Sequence, residues 1–310
     1  MKKYALFLVL LAGVSWGAIG VFVKALNNYG VDSMQIVEAK TITSICAMGL
    51  IILFRDKRMF QFKLKHSWTF IGAGMAGVIL SNQLYYITIK TTSLSVAAVL
   101  LYTSLIFIML FSAVLFQEKI TKIKVLSFVM AFTGCMLVSG IFENSAVLNF
   151  QGMAIGLCSG VGYALYTIFS RYAINYGYPS LTIQFYTFVI AAVVGVFFTD
   201  FGQIKEAMEA DCIPVVLAIL GAGLLSTTIP SLAYTAGMRY MDNGKASIMV
   251  SIDPVVAILI GIVFFSEKPT VISALGMIIS IGAVVQINRT QIEAAILRAH
   301  VKLLRYIKIF

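Results

Sequence analysis

Charged side chains, histidine and proline are scarce in this chain, and each shortage removes a class of function. Only 12% of the 310 residues are charged while 60% are hydrophobic, and the mean hydropathy is +0.95. An ordinary soluble domain carries about twice that share of charge, so the chain reads as a membrane protein. Its histidines, His66 and His300, fall in a loop and in the tail, which removes most metal-centred and Ser/His catalytic designs. An intramembrane aspartyl protease needs two facing aspartates, and Asp253 alone lies well within an apolar run. The cysteines Cys46, Cys135, Cys158 and Cys212 show no C-x-x-C spacing, and three are expected to be buried small apolar residues. No enzyme activity, metal or cofactor is expected.

Proline is absent before Pro179. Pro179, Pro214 and Pro269 fall at span ends, where proline is tolerated. Pro230 and Pro254 lie deep in apolar runs, where each removes a helical hydrogen bond, frees a carbonyl and is expected to kink its helix.

What the chain has is apolar runs of about 20 residues, the length a helix needs to cross roughly 30 Å of hydrocarbon. They fall near 5–26, 34–54, 67–89, 95–116, 125–142, 152–175, 180–199, 214–237, 245–265 and 270–287. The opening MKKYALFLVLLAGVSWG has the lysines and apolar core of a secretory signal. It reads as the first span instead, because the run continues, no small-x-small cleavage site follows, and the segment is echoed later. With both ends in the cytoplasm, only Lys90, Lys205 and Lys268 of the 23 basic residues fall in outer loops, and Lys24 and Lys40 fall within spans. The rest lie in inner loops and the tail, as retained loops should. The net charge of +10 is then met by anionic lipid, and no nucleic-acid partner is implied.

The echo is an internal repeat. At a shift of 147, GVSWGAIGVFVKALNNYGVDS and GVGYALYTIFSRYAINYGYPS share Gly13/Gly160, Phe22/Phe169, Asn28/Asn175, Gly30/Gly177 and Ser33/Ser180, with Lys24 opposite Arg171. At a shift of 149, Gly72/Gly221, Gly74/Gly223, Tyr85/Tyr234, Phe116/Phe265, Glu118/Glu267 and Thr121/Thr270 coincide. The chain is thus two five-helix halves, 1–142 and 152–287, followed by 288–310 as a basic amphipathic cytoplasmic tail. Because five is odd, the second half is inserted upside down. The fold class is an all-α polytopic membrane protein of ten transmembrane helices in two inverted five-helix repeats, an architecture of secondary transporters.

The segments SWGAIGVFVK, AAVLLYTSLIFIMLFSAVLFQEK and KASIMVSIDPVVAILIGIVFFSEKPT resemble the first, fourth and ninth helix patterns of EamA-type transporters, in the drug/metabolite transporter superfamily. The resemblance covers residues 5–287. It implies ten helices, cytoplasmic termini and a central substrate cavity, in a family whose bacterial branch includes exporters of amino acids and other small metabolites. Leu105 stands where the family commonly has proline, Lys40 where the second helix often has arginine, and Asp253 where a glutamate often precedes the proline.

Intramembrane charge is costly, so Glu38, Lys40 and Asp253 each need a partner, water or a protonation change. Lys40 and Asp253 either pair with each other, or Lys40 pairs with Glu38, or they meet substrate: Lys40 an anionic group, Asp253 an ammonium or a coupling proton. Trp16 and Tyr163 are repeat mates, as are Tyr85 and Tyr234; with Tyr102 and Asn82 they are candidate walls of a cavity for a small amphipathic molecule. The asymmetry of Asp253-Pro254 against its mates Ser104-Leu105, and of Pro230 against Ser81, is expected to place charge and kink in one half only. GAGMAG lies inside an apolar run without a preceding strand, so its glycines are read as helix packing rather than nucleotide binding. Glu118-Lys119 and Glu267-Lys268 are expected to cap and orient mirrored hairpins.

The expected function is secondary-active or facilitative transport of a small amphipathic metabolite, foremost amino-acid export, across the cytoplasmic (inner) membrane by alternating access. Protons are a candidate coupling ion and the bilayer is the second partner. Export of drugs or other metabolites, and a non-transporting scaffold or lipid-handling role, are the alternatives. Nothing in the sequence sets an oligomeric state.

Overall fold

A computed structural model describes residues 4–142 and 149–289; the tail expected to be an amphipathic helix lies almost wholly outside them. Ten helical rods run through the described residues: α1 Ala5–Asn27, α2 Ser33–Arg55, α3 Leu64–Thr91, α4 Leu94–Phe116, α5 Lys122–Val138, α6 Phe150–Asn175, α7 Ser180–Phe198, α8 Cys212–Met238, α9 Asn243–Phe265 and α10 Val271–Ile287. Eight are long and apolar enough to cross a membrane. The other two, α5 and α10, have 17 residues each, about 25 Å of rise and the lower limit for a span. A short helix, Gly202–Ala210, occupies the acidic loop before α8. Large apolar side chains such as Phe54, Phe150, Phe197 and Val263 are exposed, the outward face a bilayer covers.

The repeat extends to packing. Against α8 and α9 packs α1, as α6 packs against α3 and α4; α2 meets α8 as α7 meets α3; α2–α7 and α5–α10 are contacts between helices that are each other's repeat mates. It also extends to single residues. Gln117 and Ser266 are the only non-glycine residues with positive φ among those described, at 54° and 53°, and they are mates at a shift of 149. In both cases the next residue reaches back, Glu118 N–H to the Ser112 carbonyl and Glu267 N–H to the Gly261 carbonyl. Thr121 and Thr270 then cap the following helices by accepting from Lys124 N–H and Ser273 N–H.

Two expectations are corrected. Cys46, Cys158 and Cys212 are exposed and only Cys135 is buried, because lipid-facing and core positions are equally apolar in sequence. The breaks are not confined to one half. In α9, Asn243–Val250 ends and a new segment starts at Asp253; in α4, Leu94–Tyr102 ends and Ser104–Phe116 restarts. Pro254 sits in the first turn of its new segment, where its missing N–H costs least. Without proline, Thr103 Oγ1 donates back to the Leu100 carbonyl at 2.5 Å, as Ser251 Oγ does to the Ile248 carbonyl at 2.6 Å, a local bond that competes with the helical one. Likewise Pro230 follows a π-helical turn, Leu224–Thr228, and its mate Ser81 follows another, Ala73–Leu80. The half-specific break is in α1, which turns at Ala18 while α6 runs through.

Glycines seat these breaks. A Cβ on Gly13 would lie 3.0 Å from the Val250 carbonyl oxygen in the α9 break; one on its mate Gly160 would lie 2.7 Å from Thr103 Oγ1 in the α4 break. The GAGMAG glycines pack on α6 and α7, Gly77 against the Tyr166 backbone and Gly74 against the Thr187 carbonyl.

Candidate functional site

The broken helices surround a cavity of about 300 Å³. Asp253, Lys40, Trp16, Tyr163, Tyr85, Tyr234, Tyr102 and Asn82 all line it, so the structure brings every candidate side chain together. Pro254 and Pro230 stand behind the wall: each begins a helical segment whose neighbours Asp253 and Ser231 face the cavity.

Asp253 is next to the central residue of α9 and Trp16 is that of α1, so the cavity sits midway along the spans. The break in α9 explains the carboxylate: it starts a helical segment, where the helix dipole favours negative charge. Its side-chain partner is Tyr102, whose hydroxyl donates to Asp253 Oδ1 at 3.1 Å across the cavity from α4. Among the described residues neither Lys40 nor Asp253 forms an ion pair. The Lys40–Glu38 alternative also fails, because residues two apart on a helix point about 200° away from each other. Lys40 faces the cavity and Glu38 is buried on the opposite side of α2, against Gly195 of α7.

Aromatic rings make the walls. The Trp16 and Tyr234 centroids are 5.4 Å apart, and the Tyr234 hydroxyl lies 3.3 Å from Thr167 Oγ1. Sequence reasoning missed Tyr166, whose hydroxyl donates to Gln184 Oε1 at 2.8 Å while Gln184 Nε2 donates to Thr235. It also missed the hydroxyl lining of Thr41, Ser226, Thr227, Ser231, Ser247 and Ser251. The run LLSTTIPSLAYT was the available signal: Thr227 and Thr228 donate to the Ala222 and Gly223 carbonyls five residues back and stabilise the π turn.

The two ends beyond the cavity differ. At one end Glu118, with 9% of its side chain exposed, accepts from Asn243 N–H at 2.8 Å and Gly244 N–H at 3.3 Å. It therefore caps α9 rather than its own hairpin. Arg171 lies 3.7 Å and Lys124 3.8 Å from the same carboxylate. Arg171 also donates to Asn243 Oδ1 and to the Met238 and Met241 carbonyls, and Lys124 pairs with Asp242 at 2.7 Å. Five helices are thereby tied: α4, α5, α6, α8 and α9. At the other end the mates Glu267 and Lys24 form one 3.3 Å pair, 61% and 50% exposed, with Lys24 over the Phe265 ring.

The chain is 26% identical to an uncharacterized transporter of Archaeoglobus fulgidus over 88% of this chain and 92% of that one. It is also 26% identical to the threonine/homoserine exporter RhtA of Escherichia coli K12, over 82% and 84% of the two chains. A solved crystal structure shares its fold at a TM-score of 0.74 and 17% identity, covering 92% of this chain and 96% of the other. The model of the EamA-like transporter family matches residues 3–140 and again 150–289. A duplicated ten-helix bundle, broken around one central cavity and matched by that family over both halves, belongs to the EamA-like transporters.

Proposed function

We propose that this transporter moves a small zwitterion, an amino acid, out of the cell through the central cavity, without catalysing a reaction. One observation carries the reading: a lysine and an aspartate face the same small cavity without pairing with each other. Lys40 is suited to a substrate carboxylate, and Asp253, held by the Tyr102 hydroxyl, to the ammonium group. Charges of opposite sign at separate points discriminate a zwitterion from a simple cation or anion. A volume of about 300 Å³, at the low end for ligand cavities, suits a small one. The similarity to RhtA, a threonine/homoserine exporter, supports the same class.

The halves act as two domains, 1–142 and 152–287, that rock about the cavity. The excess of basic residues in one set of loops supports cytoplasmic termini in the inner membrane, which puts the Glu118 cluster on the cytoplasmic side. The dense cluster there and the single exposed pair at the opposite end fit a protein closed inward and loosened outward. Purified protein in liposomes, tested for uptake and efflux of a panel of radiolabelled amino acids, is the direct test. The expected result is flux of a few small neutral members, abolished by Lys40→Ala; no flux across the panel refutes the reading.

A further inference from the structure

We propose that Glu38 is a proton-binding site, set outside the substrate cavity and opened and closed by the α2–α7 contact. The proposal rests on the transport reading above.

Glu38 lies five residues into α2 and is 1% exposed. Neither carboxylate oxygen has a hydrogen-bond partner among the described residues. The carboxylate fills the space a side chain on Gly195 would take, beside Ile79 of α3, so a glycine on α7 makes room for it. One turn nearer the helix start, Gln35 closes the way to the end of the bundle. Its Oε1 accepts from Asp32 N–H and its Nε2 donates to the Asp200 carbonyl, each at 2.7 Å, tying the start of α2 to the chain just beyond α7.

Charged and titratable groups on the neighbouring elements are engaged elsewhere. Lys40 faces the cavity from the far side of α2. On α7, Tyr186 donates to the Phe60 carbonyl; on α3, Tyr85 lines the cavity and Lys90 sits over the Tyr86 ring. On α8, Tyr234 pairs with Thr167; on α1, Lys24 pairs with Glu267; beyond the helix ends Tyr29 donates to Asp211. Asp32 and Asp200 meet Gln35 through backbone atoms. At 1% exposure and with no counter-charge among the described residues, a carboxylate at Glu38 is uncompensated while the contact is closed, and a bound proton removes that charge. Contact between α2 and α7 is one of several that join the two halves, and its opening is part of the movement that exposes the cavity to either side. Opening to one side lets water reach the group and the acid releases H⁺ there; in the opposite state the carboxylate takes up H⁺ from the other side before the contact closes again, so one proton crosses per cycle.

The test uses the full-length protein in liposomes with radiolabelled threonine and an imposed pH gradient of either sign. At one proton per cycle, a gradient of one pH unit sustains about a tenfold threonine gradient, because both represent the same free energy. The parent and Glu38→Asp are expected to accumulate threonine under the gradient, and Glu38→Gln to show no gain over equal pH. Equal gains in parent and Glu38→Gln, no gain in the parent, or a response to a sodium gradient instead overturn the proposal. Infrared spectra at neutral pH decide independently of transport. A band from a carboxylic acid free of hydrogen bonds, present in the parent and absent from Glu38→Gln, is expected; its absence from the parent overturns the proposal. A parent that moves no threonine counts against the amino-acid reading, and the infrared result still judges Glu38.

Discussion

Replacing Glu118 by alanine should release its end of the bundle while the same change at its mate Glu267 does little. Glu118 is nearly buried and accepts two backbone N–H groups at the start of α9; hydrogen bonds to a charged group contribute roughly 1.5–3 kcal/mol each. Arg171 keeps its bonds to Asn243, Met238 and Met241, so its charge is not stranded by the substitution. The loss to the state closed at that end is then about 3–6 kcal/mol, or a shift of about 150-fold or more toward opening there. Glu267 and Lys24 are both half exposed or more, and pairs of that kind contribute about 0–1 kcal/mol, less than about sixfold.

The assay is labelling of a cavity cysteine from the side of the Glu118 cluster. Leu101 lines the cavity; Leu101→Cys in a background lacking Cys46, Cys135, Cys158 and Cys212, challenged with a membrane-impermeant maleimide in inside-out vesicles, reports access past the Glu118 cluster. Glu118→Ala should speed labelling by at least tenfold, Glu118→Gln by less because its amide oxygen still accepts, and Glu267→Ala by less than a factor of a few. Parental labelling in Glu118→Ala, or equal acceleration from Glu267→Ala, refutes the assignment of Glu118 as the tie that closes this end.

Other substitutions probe the cavity and its frame. Asp253→Asn removes the charge proposed to meet a substrate ammonium group and should raise the half-saturating concentration by about 30-fold or more, the effect of truncating one partner of a buried charge pair; retained affinity in a direct binding titration counts against that role. Tyr102→Phe deletes the donor to Asp253 and should weaken binding about tenfold without changing the helical circular-dichroism signal. Gly13→Val places carbon against the Val250 carbonyl and the Ile252 side chain and should cost about 1–3 kcal/mol of stability, read as a lowered melting temperature in detergent. Val14→Ala, on an exposed position of the same helix, should leave it unchanged.

How much of this was legible in the sequence depended on whether lipid and protein treat a residue differently. Span positions were legible because hydrocarbon excludes backbone and charge alike: 34–54 became Ser33–Arg55 and 95–116 became Leu94–Phe116. The fifth span was misplaced, 125–142 against Lys122–Val138, because its helix begins at the Thr121 cap and its first turn carries lysines that an apolar window rejects. Most bulky polar cavity walls were legible, since Trp16, Tyr85, Tyr102 and Asp253 have no inexpensive place facing lipid; Tyr166, whose repeat mate is the apolar Ile19, was passed over. Serine and threonine satisfy themselves on nearby carbonyls and are tolerated on any face, so the hydroxyl lining went unseen. Exposed Cys46 and buried Cys135 were indistinguishable for the converse reason: each is a small apolar group in an apolar medium. Proline advertised the break in α9, but α4 breaks at Thr103 without one, and the residue common to both sites is on neither helix. It is the mated pair Gly13 and Gly160, each pressed against a break in the opposite half. The breaks are thus held by packing across the two repeats, and glycine identity at a fixed shift was the sequence signal that could have located them in both halves, where the prolines led to the expectation of a kink in one half only.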